Sequence, residues 1–251
     1  MNQKTMYNID GNRDSIHGFL IDCIYVLNSL YPKGTVGGSK MKQRKHIQLL
    51  VIIAFLVAIE IVLTLTPIGY IPIGPIRATT MHIPVILAGV LFGPKIGAMI
   101  GLVFGLTSLF NNTLNPTITS FVFSPFITVG GIHGNIYSLI IVLVPRILLG
   151  VLSSLCYKGL KKLLRQDTIA MMLSALLNTV LHTVLVMGGI WVFFANPYAT
   201  ARGMTLQEVW AFIMGVIMTN GVIEAILAAI VIPFLVKALK PRIERMDLVD
   251  E

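Results

Sequence analysis

The chain has 251 residues, of which 55% are hydrophobic and 12% charged, against roughly 25% charged residues in an average soluble domain. That composition excludes a water-soluble fold, because only lipid can cover so much apolar helical surface. The net charge of +8 is gathered in short basic runs beside apolar segments, the pattern of cytoplasmic loops of membrane proteins, so no nucleic-acid partner is expected.

Residues 1–45 are polar apart from a stretch from Ile16 to Tyr31, which Asp22 and Asn28 interrupt. It reads either as a surface amphipathic helix or as a disordered extension. Tyr31 to Lys45, with Pro32, Gly34, Gly37 and Gly38, reads as a linker. The first long apolar stretch starts near His46 without a small-residue cleavage site, so no secretory signal is expected. Cys23 and Cys156 are too few and too poorly spaced for a disulfide framework or a zinc site.

The expected fold is an all-α membrane protein, a compact bundle of six transmembrane helices over residues 46–240, followed by a short tail, 241–251. The first span covers about Ile47 to Leu65, and a Pro/Gly-rich loop with Pro67, Gly69, Pro72, Gly74 and Pro75 follows. The second span, about Thr80 to Phe92, is short; Gly93-Pro94 turns tightly into the third, about Lys95 to Phe110. Asn111 to His133 is a polar connection, and its length without an obvious element points to function or disorder. The fourth span covers about Ile136 to Tyr157 and the fifth about Ile169 to Phe194. A third outer loop, Ala195 to Leu206, leads into the sixth, about Val209 to Val236.

Lys40, Lys42, Arg44 and Lys45, then Lys95, then Lys158, Lys161, Lys162 and Arg165, then Lys237, Lys240, Arg242 and Arg245 all fall on one side of such a bundle. The opposite side carries Arg77 and Arg202. The positive-inside rule places both termini in the cytoplasm and the three long loops outside, as suits a site entered from outside.

Enzyme signatures are missing: the sequence has no His-Glu-x-x-His, no Gly-x-Ser-x-Gly and no phosphate-binding Gly-x-x-x-x-Gly-Lys-Ser/Thr. No catalysis, cofactor or metal is expected, and energy must come from an ion gradient or a partner subunit. Arg146 lies inside span four, where an arginine costs on the order of 2.5 to 3.5 kcal/mol even on the lenient insertion scale, so it must face a cavity or a partner. One reading pairs it with Glu224 of span six; the other has it contact an anionic ligand; a ligand competing for the arginine reconciles them. Asn178 and His182 share one face of span five at i, i+4, and Asn220 and Glu224 repeat that spacing in span six. Each pair serves either a polar ligand or interhelical hydrogen bonding. His82, His133 and Asn112 are weaker candidates for ligand contact. Tyr70, Arg77, Phe121, Phe123, Trp191, Phe194 and Tyr198 form either a lid or, for the last three, an interfacial aromatic belt. Ala54-x-x-x-Ala58 and the Gly97, Gly101, Gly105 series allow close helix approach.

Helix one with Ala54-x-x-x-Ala58, the Pro/Gly loop, Phe92-Gly93-Pro94-Lys95-x-Gly97 and the continuation Gly101-Leu-Val-Phe-Gly105-Leu-Thr-Ser-Leu-Phe resemble the S components of energy-coupling factor (ECF) vitamin transporters. The resemblance implies a bundle that binds one small-molecule vitamin beneath its outer loops. Such a bundle docks on a membrane scaffold subunit with two cytosolic ATPases, through Ala54 and Ala58. Thr80-Met-His-Ile-Pro84, Asn111-Asn112-Thr113 and Thr119-Ser-Phe-Val-Phe-Ser-Pro125 look most like members assigned to pantothenate. Arg146 then holds the carboxylate, Asn178 and His182 the amide or hydroxyls, and Arg77 belongs to the lid. Other vitamins, such as folate or riboflavin, stay open as ligands. The rival class is a stand-alone proton-coupled secondary transporter that uses Glu224 or Glu60, against which stands the lack of a clear inverted repeat.

Overall fold

The computed structural model describes residues 40–66, 69–73, 76–129 and 131–246, with the backbone alone at 40–43, 70–73 and 76–78. The chain divides into Met1–Arg44 and Lys45–Glu251. The stretch from Ile16 to Tyr31 and most of the expected linker lie outside the described residues.

Two glycine-lined helices set the spacing of the bundle. Helix α1 (Lys40–Leu65) is followed by the strands β1 (Tyr70–Ile73) and β2 (Ile76–Thr79), then α2 (His82–Phe92) and α3 (Pro94–Leu114). After α3 come a 3-10 turn at Ser120–Val122, the two-residue strands β3 (Thr128–Val129) and β4 (Ile132–His133), and α4 (Ile136–Leu164). A Cβ on Gly97 of α3 would strike the Gly150 carbonyl of α4, one on Gly101 the Arg146 carbonyl, and one on Gly105 the Val142 carbonyl. Steps of four along α3 thus answer steps of four along α4 running the other way, and only glycine lets the two backbones come so close. Gly89 of α2 also faces the Gly150 carbonyl. At Gly93, φ is +90°, a conformation that glycine adopts freely, and Pro94 supplies a preset first helical residue for α3.

Beyond α4 run α5 (Asp167–Arg202), α6 (Leu206–Val216), a π-helical turn at Ile217–Gly221 and α7 (Val222–Arg245). Among the described residues, five segments are long and apolar enough to cross a membrane: Arg44–Leu65, Pro94–Leu114, Ile136–Leu164, Asp167–Arg202 and Leu206–Arg245. Over the expected second span stands α2, with 11 residues, about 16 Å at 1.5 Å per residue, roughly half of a 30 Å hydrocarbon core. Nine of its residues are buried. The antiparallel ribbon β1–β2, with Tyr70 opposite Thr79 and Ile73 opposite Ile76, occupies the Pro/Gly-rich loop after α1. Proline and glycine had marked that loop as non-helical without disclosing the pairing.

The third outer loop is corrected. Helix α5 continues through Ala195–Arg202 with one non-helical residue, Phe194 (φ −134°, ψ 16°). Pro197 accounts for the kink, because its ring crowds the carbonyl four residues earlier. Only Gly203 to Thr205 separates α5 from α6, and Thr205 with Glu208 forms a capping box that satisfies the first amides of α6.

Helix α1 has two faces. Ile53, Leu56, Val57 and Glu60 are buried, whereas Val51, Ala54, Phe55, Ala58 and Val62 are exposed. Both carboxylate oxygens of Glu60 are buried with no hydrogen-bond partner among the described residues.

Gly101→Val should lower the thermal midpoint in detergent, since overpacking costs about 1–3 kcal/mol; an unchanged midpoint would contradict the close approach of α3 and α4. Glu60→Leu should raise the midpoint, because an unpartnered buried polar group costs about 1–3 kcal/mol. A lowered midpoint would mean that Glu60 has a stabilising partner.

Candidate functional site

A cavity of about 610 Å³ lies at the end of the bundle that carries the long connections, with walls from α1, α3, α4, α5, the π-helical turn and α7. That volume falls within the range of small-molecule sites. Arg146, His182, Asn220, Glu224 and Asn112 all line it, so five of the expected residues, from α3, α4, α5, the π-helical turn and α7, meet in one place.

The position of Arg146 follows from its neighbour in sequence. Pro145 has no amide hydrogen, so the carbonyl of Ile141, four residues back, loses its usual helical donor. Inside a membrane bundle such a carbonyl needs another partner. The Arg146 guanidinium supplies it, Nη1 donating to the Ile141 oxygen. The same guanidinium carbon lies 5.4 Å from the ring centroid of Phe104 and 5.6 Å from that of Phe123. Both rings line the cavity, as Arg146 does, although the arginine is only 6% exposed.

Glu224 is buried on the facing wall and holds the end of β2. Its Oε1 accepts the Thr79 amide at 2.6 Å and the Thr79 hydroxyl at 3.1 Å. The π-helical turn adds a residue to the helix, and Asn220 and Glu224, on either side of its end, both reach the cavity. Such turns are frequent at functional positions. Gly221 lets this helix approach Thr183 of α5, where a Cβ would lie 3.2 Å from the threonine methyl.

The wall that contains Asn112 is a network of short hydrogen bonds. Asn112 Nδ2 donates to the Ser108 carbonyl at 2.8 Å, and the Ser120 hydroxyl donates to Asn112 Oδ1 at 2.8 Å. The Thr117 amide donates to Ser120 Oγ at 2.9 Å. Thr113 and Ser124 hydroxyls are 2.7 Å apart, and the Ser138 hydroxyl donates to the Phe121 carbonyl at 2.7 Å. The connection that looked unstructured in sequence is therefore pinned at both ends. Phe121 and Val122 plug it into the core, with Phe121 ring to Phe194 ring at 5.9 Å.

Two expected site residues, Asn178 and His82, stand elsewhere, and Arg77 is described by its backbone alone. Asn178 is absent from the lining; its Nδ2 donates to the Ser174 carbonyl at 2.7 Å, and the Ser174 hydroxyl donates to the Ser153 carbonyl at 3.0 Å. Asn178 thus bonds within α5 while Ser174 ties α5 to α4, and only His182 of the Asn178–His182 pair reaches the cavity. His82 is buried at the start of α2 and is also absent from the lining. Arg77 lies in β2, opposite Pro72. Trp191 packs edge-on against Trp210 at 5.0 Å, and Tyr198 against Phe212 at 6.0 Å. These rings join the kinked end of α5 to α6. No group of three or more His, Cys, Asp or Glu residues suited to a metal occurs among the described residues. Sequence reasoning passed over Phe104, Ser108, Thr79 and Thr183; Ser108 and Phe104 lie one and two helical turns before Asn112, Thr183 directly follows His182, and Thr79 ends a strand with no such signal.

Comparison with known proteins decides the class. Residues 48–236 match the model of the ECF transporter substrate-specific component. The chain belongs to this family. It is thus a multi-pass membrane component of a transporter and not an enzyme. The match starts within α1 and ends in α7, so the S-component resemblance drawn from sequence over 46–240 holds. A curated relative, the pantothenic acid transporter PanT of Lactococcus lactis subsp. cremoris (strain MG1363), is 36% identical over 167 residues, which is 66% of this chain and 79% of that protein.

Proposed function

We propose that this S component captures pantothenate from outside the cell and delivers it inward after docking on an ATP-driven module. The observation that carries the ligand is the buried arginine: a guanidinium lining a cavity inside a membrane bundle suits a small monoanion. Pantothenate also carries hydroxyls and an amide, and His182, Asn220, Glu224 and Ser108 offer donors and acceptors on the same walls. The likeness to the pantothenic acid transporter supports the same ligand.

In this reading Arg146 binds the carboxylate, while Asn220, Glu224 and His182 bind the polar groups at the other end. Asn112, already holding the Ser120 hydroxyl, shapes the wall. Asn178 and His82 act indirectly, through packing, and Arg77 belongs to the ribbon whose end Glu224 holds. Docking falls to Ala54 and Ala58, whose exposed face on α1 suits a flat helix contact with a membrane scaffold subunit that carries two cytosolic ATPases. Both termini lie in the cytoplasm. The meeting of Lys161 and Lys240 at Asp167, at 3.3 and 2.9 Å, supports this by gathering two of the basic runs at one end of the bundle.

Calorimetry on the purified protein in detergent tests the proposal. Pantothenate should bind tightly, and Arg146→Ala should weaken it at least about thirtyfold, since a desolvated charge pair that loses one partner costs about 2–5 kcal/mol. No binding at micromolar ligand would overturn the ligand assignment.

A further inference from the structure

Resting on the reading of Arg146 as the carboxylate holder, the geometry points to Phe104, Phe123 and Pro145 as positioning residues that preset the guanidinium and make the cavity select a carboxylate over its neutral analogue. The three act from different elements. Phe104 comes from α3, one residue before the glycine at 105 that admits α4. Phe123 comes from the pinned connection, just beyond its 3-10 turn. Pro145 comes from α4 itself and frees the Ile141 carbonyl that accepts from Nη1.

A free arginine side chain samples many rotamers, and holding it in one conformation removes an ordering cost that ligand binding would otherwise meet. Here one nitrogen is tied to a backbone oxygen, and two ring faces or edges lie within 6 Å of the guanidinium carbon, at 5.4 and 5.6 Å. Cation–π attraction at a desolvated site is strong enough to fix the group. A preset guanidinium serves a planar carboxylate, which takes two parallel hydrogen bonds, far more than a hydroxyl in the same place. Because Phe123 belongs to the connection and Phe104 to the bundle, the arginine is fully set when that connection is seated.

The test measures pantothenate and its alcohol analogue, with CH2OH in place of the carboxylate, against the native protein, Phe123→Leu, Phe123→Tyr and Phe104→Leu. Phe123→Leu should lose about tenfold in pantothenate affinity with the alcohol unchanged, and Phe123→Tyr should retain both. Equal losses for both ligands, or none, would overturn the inference, as the rings would then be plain wall. Phe104→Leu repeats the test if Phe123→Leu does not fold. A second readout needs no ligand: nitrogen NMR of the Arg146 side chain should show slow guanidinium rotation in the native protein and averaged signals in Phe123→Leu. Averaged signals in the native protein would overturn the inference. If the native protein binds no pantothenate, the ligand assignment fails, and the NMR result still decides the positioning role.

Discussion

Close approach of α3 and α4 along Gly97, Gly101 and Gly105 is the constraint on which the rest of the structure depends. Because the Gly101 seam faces the Arg146 carbonyl itself, any side chain there would push α4 outward and carry the arginine with it. The same approach brings Phe104, the neighbour of Gly105, to the guanidinium. Helix packing and site geometry are here one arrangement, and the small residues stabilise it through backbone proximity that lipid cannot replace.

A second dependence runs through Pro145. In a soluble helix an internal proline would simply weaken the ladder, whereas in a membrane bundle the carbonyl it frees must find a donor. The adjoining arginine is that donor, so a local defect and a buried charge satisfy each other. Glu224 shows a similar economy on the other wall, where one carboxylate oxygen both closes the end of the β1–β2 ribbon through Thr79 and lines the cavity. Each charged group in the cavity thus has a structural contact within the chain, and a ligand adds to those contacts.

Much of this was legible in the sequence. Long apolar stretches gave the spans, the four-residue glycine spacing gave a close helix contact, and the cost of a buried arginine marked Arg146. What escaped had physical causes. That α2 is almost wholly buried escaped, because a helix packed inside the bundle is as apolar as a lipid-facing one. Ala195 to Leu206 looked like a loop because Asn196-Pro197 signals a break, yet the helix absorbs the proline with a single distorted residue at Phe194. The capping box of Thr205 and Glu208 was readable from its spacing alone and would have placed the turn correctly. Asn178 and His182 share a helical face, but that face is wide, and bonding to Ser174 one turn back takes one while the cavity takes the other. No sequence pattern reveals the π-helical turn that presents Asn220 and Glu224 together.

The central claim is that a guanidinium preset inside a lipid-embedded bundle holds the anionic end of a captured solute. An experimental structure of the purified protein with pantothenate tests it most directly. The account predicts the carboxylate within hydrogen-bonding distance of the Arg146 guanidinium, with the hydroxyl end toward Asn220 and Glu224. A ligand seated away from Arg146, or an Arg146 turned toward lipid headgroups, would contradict it.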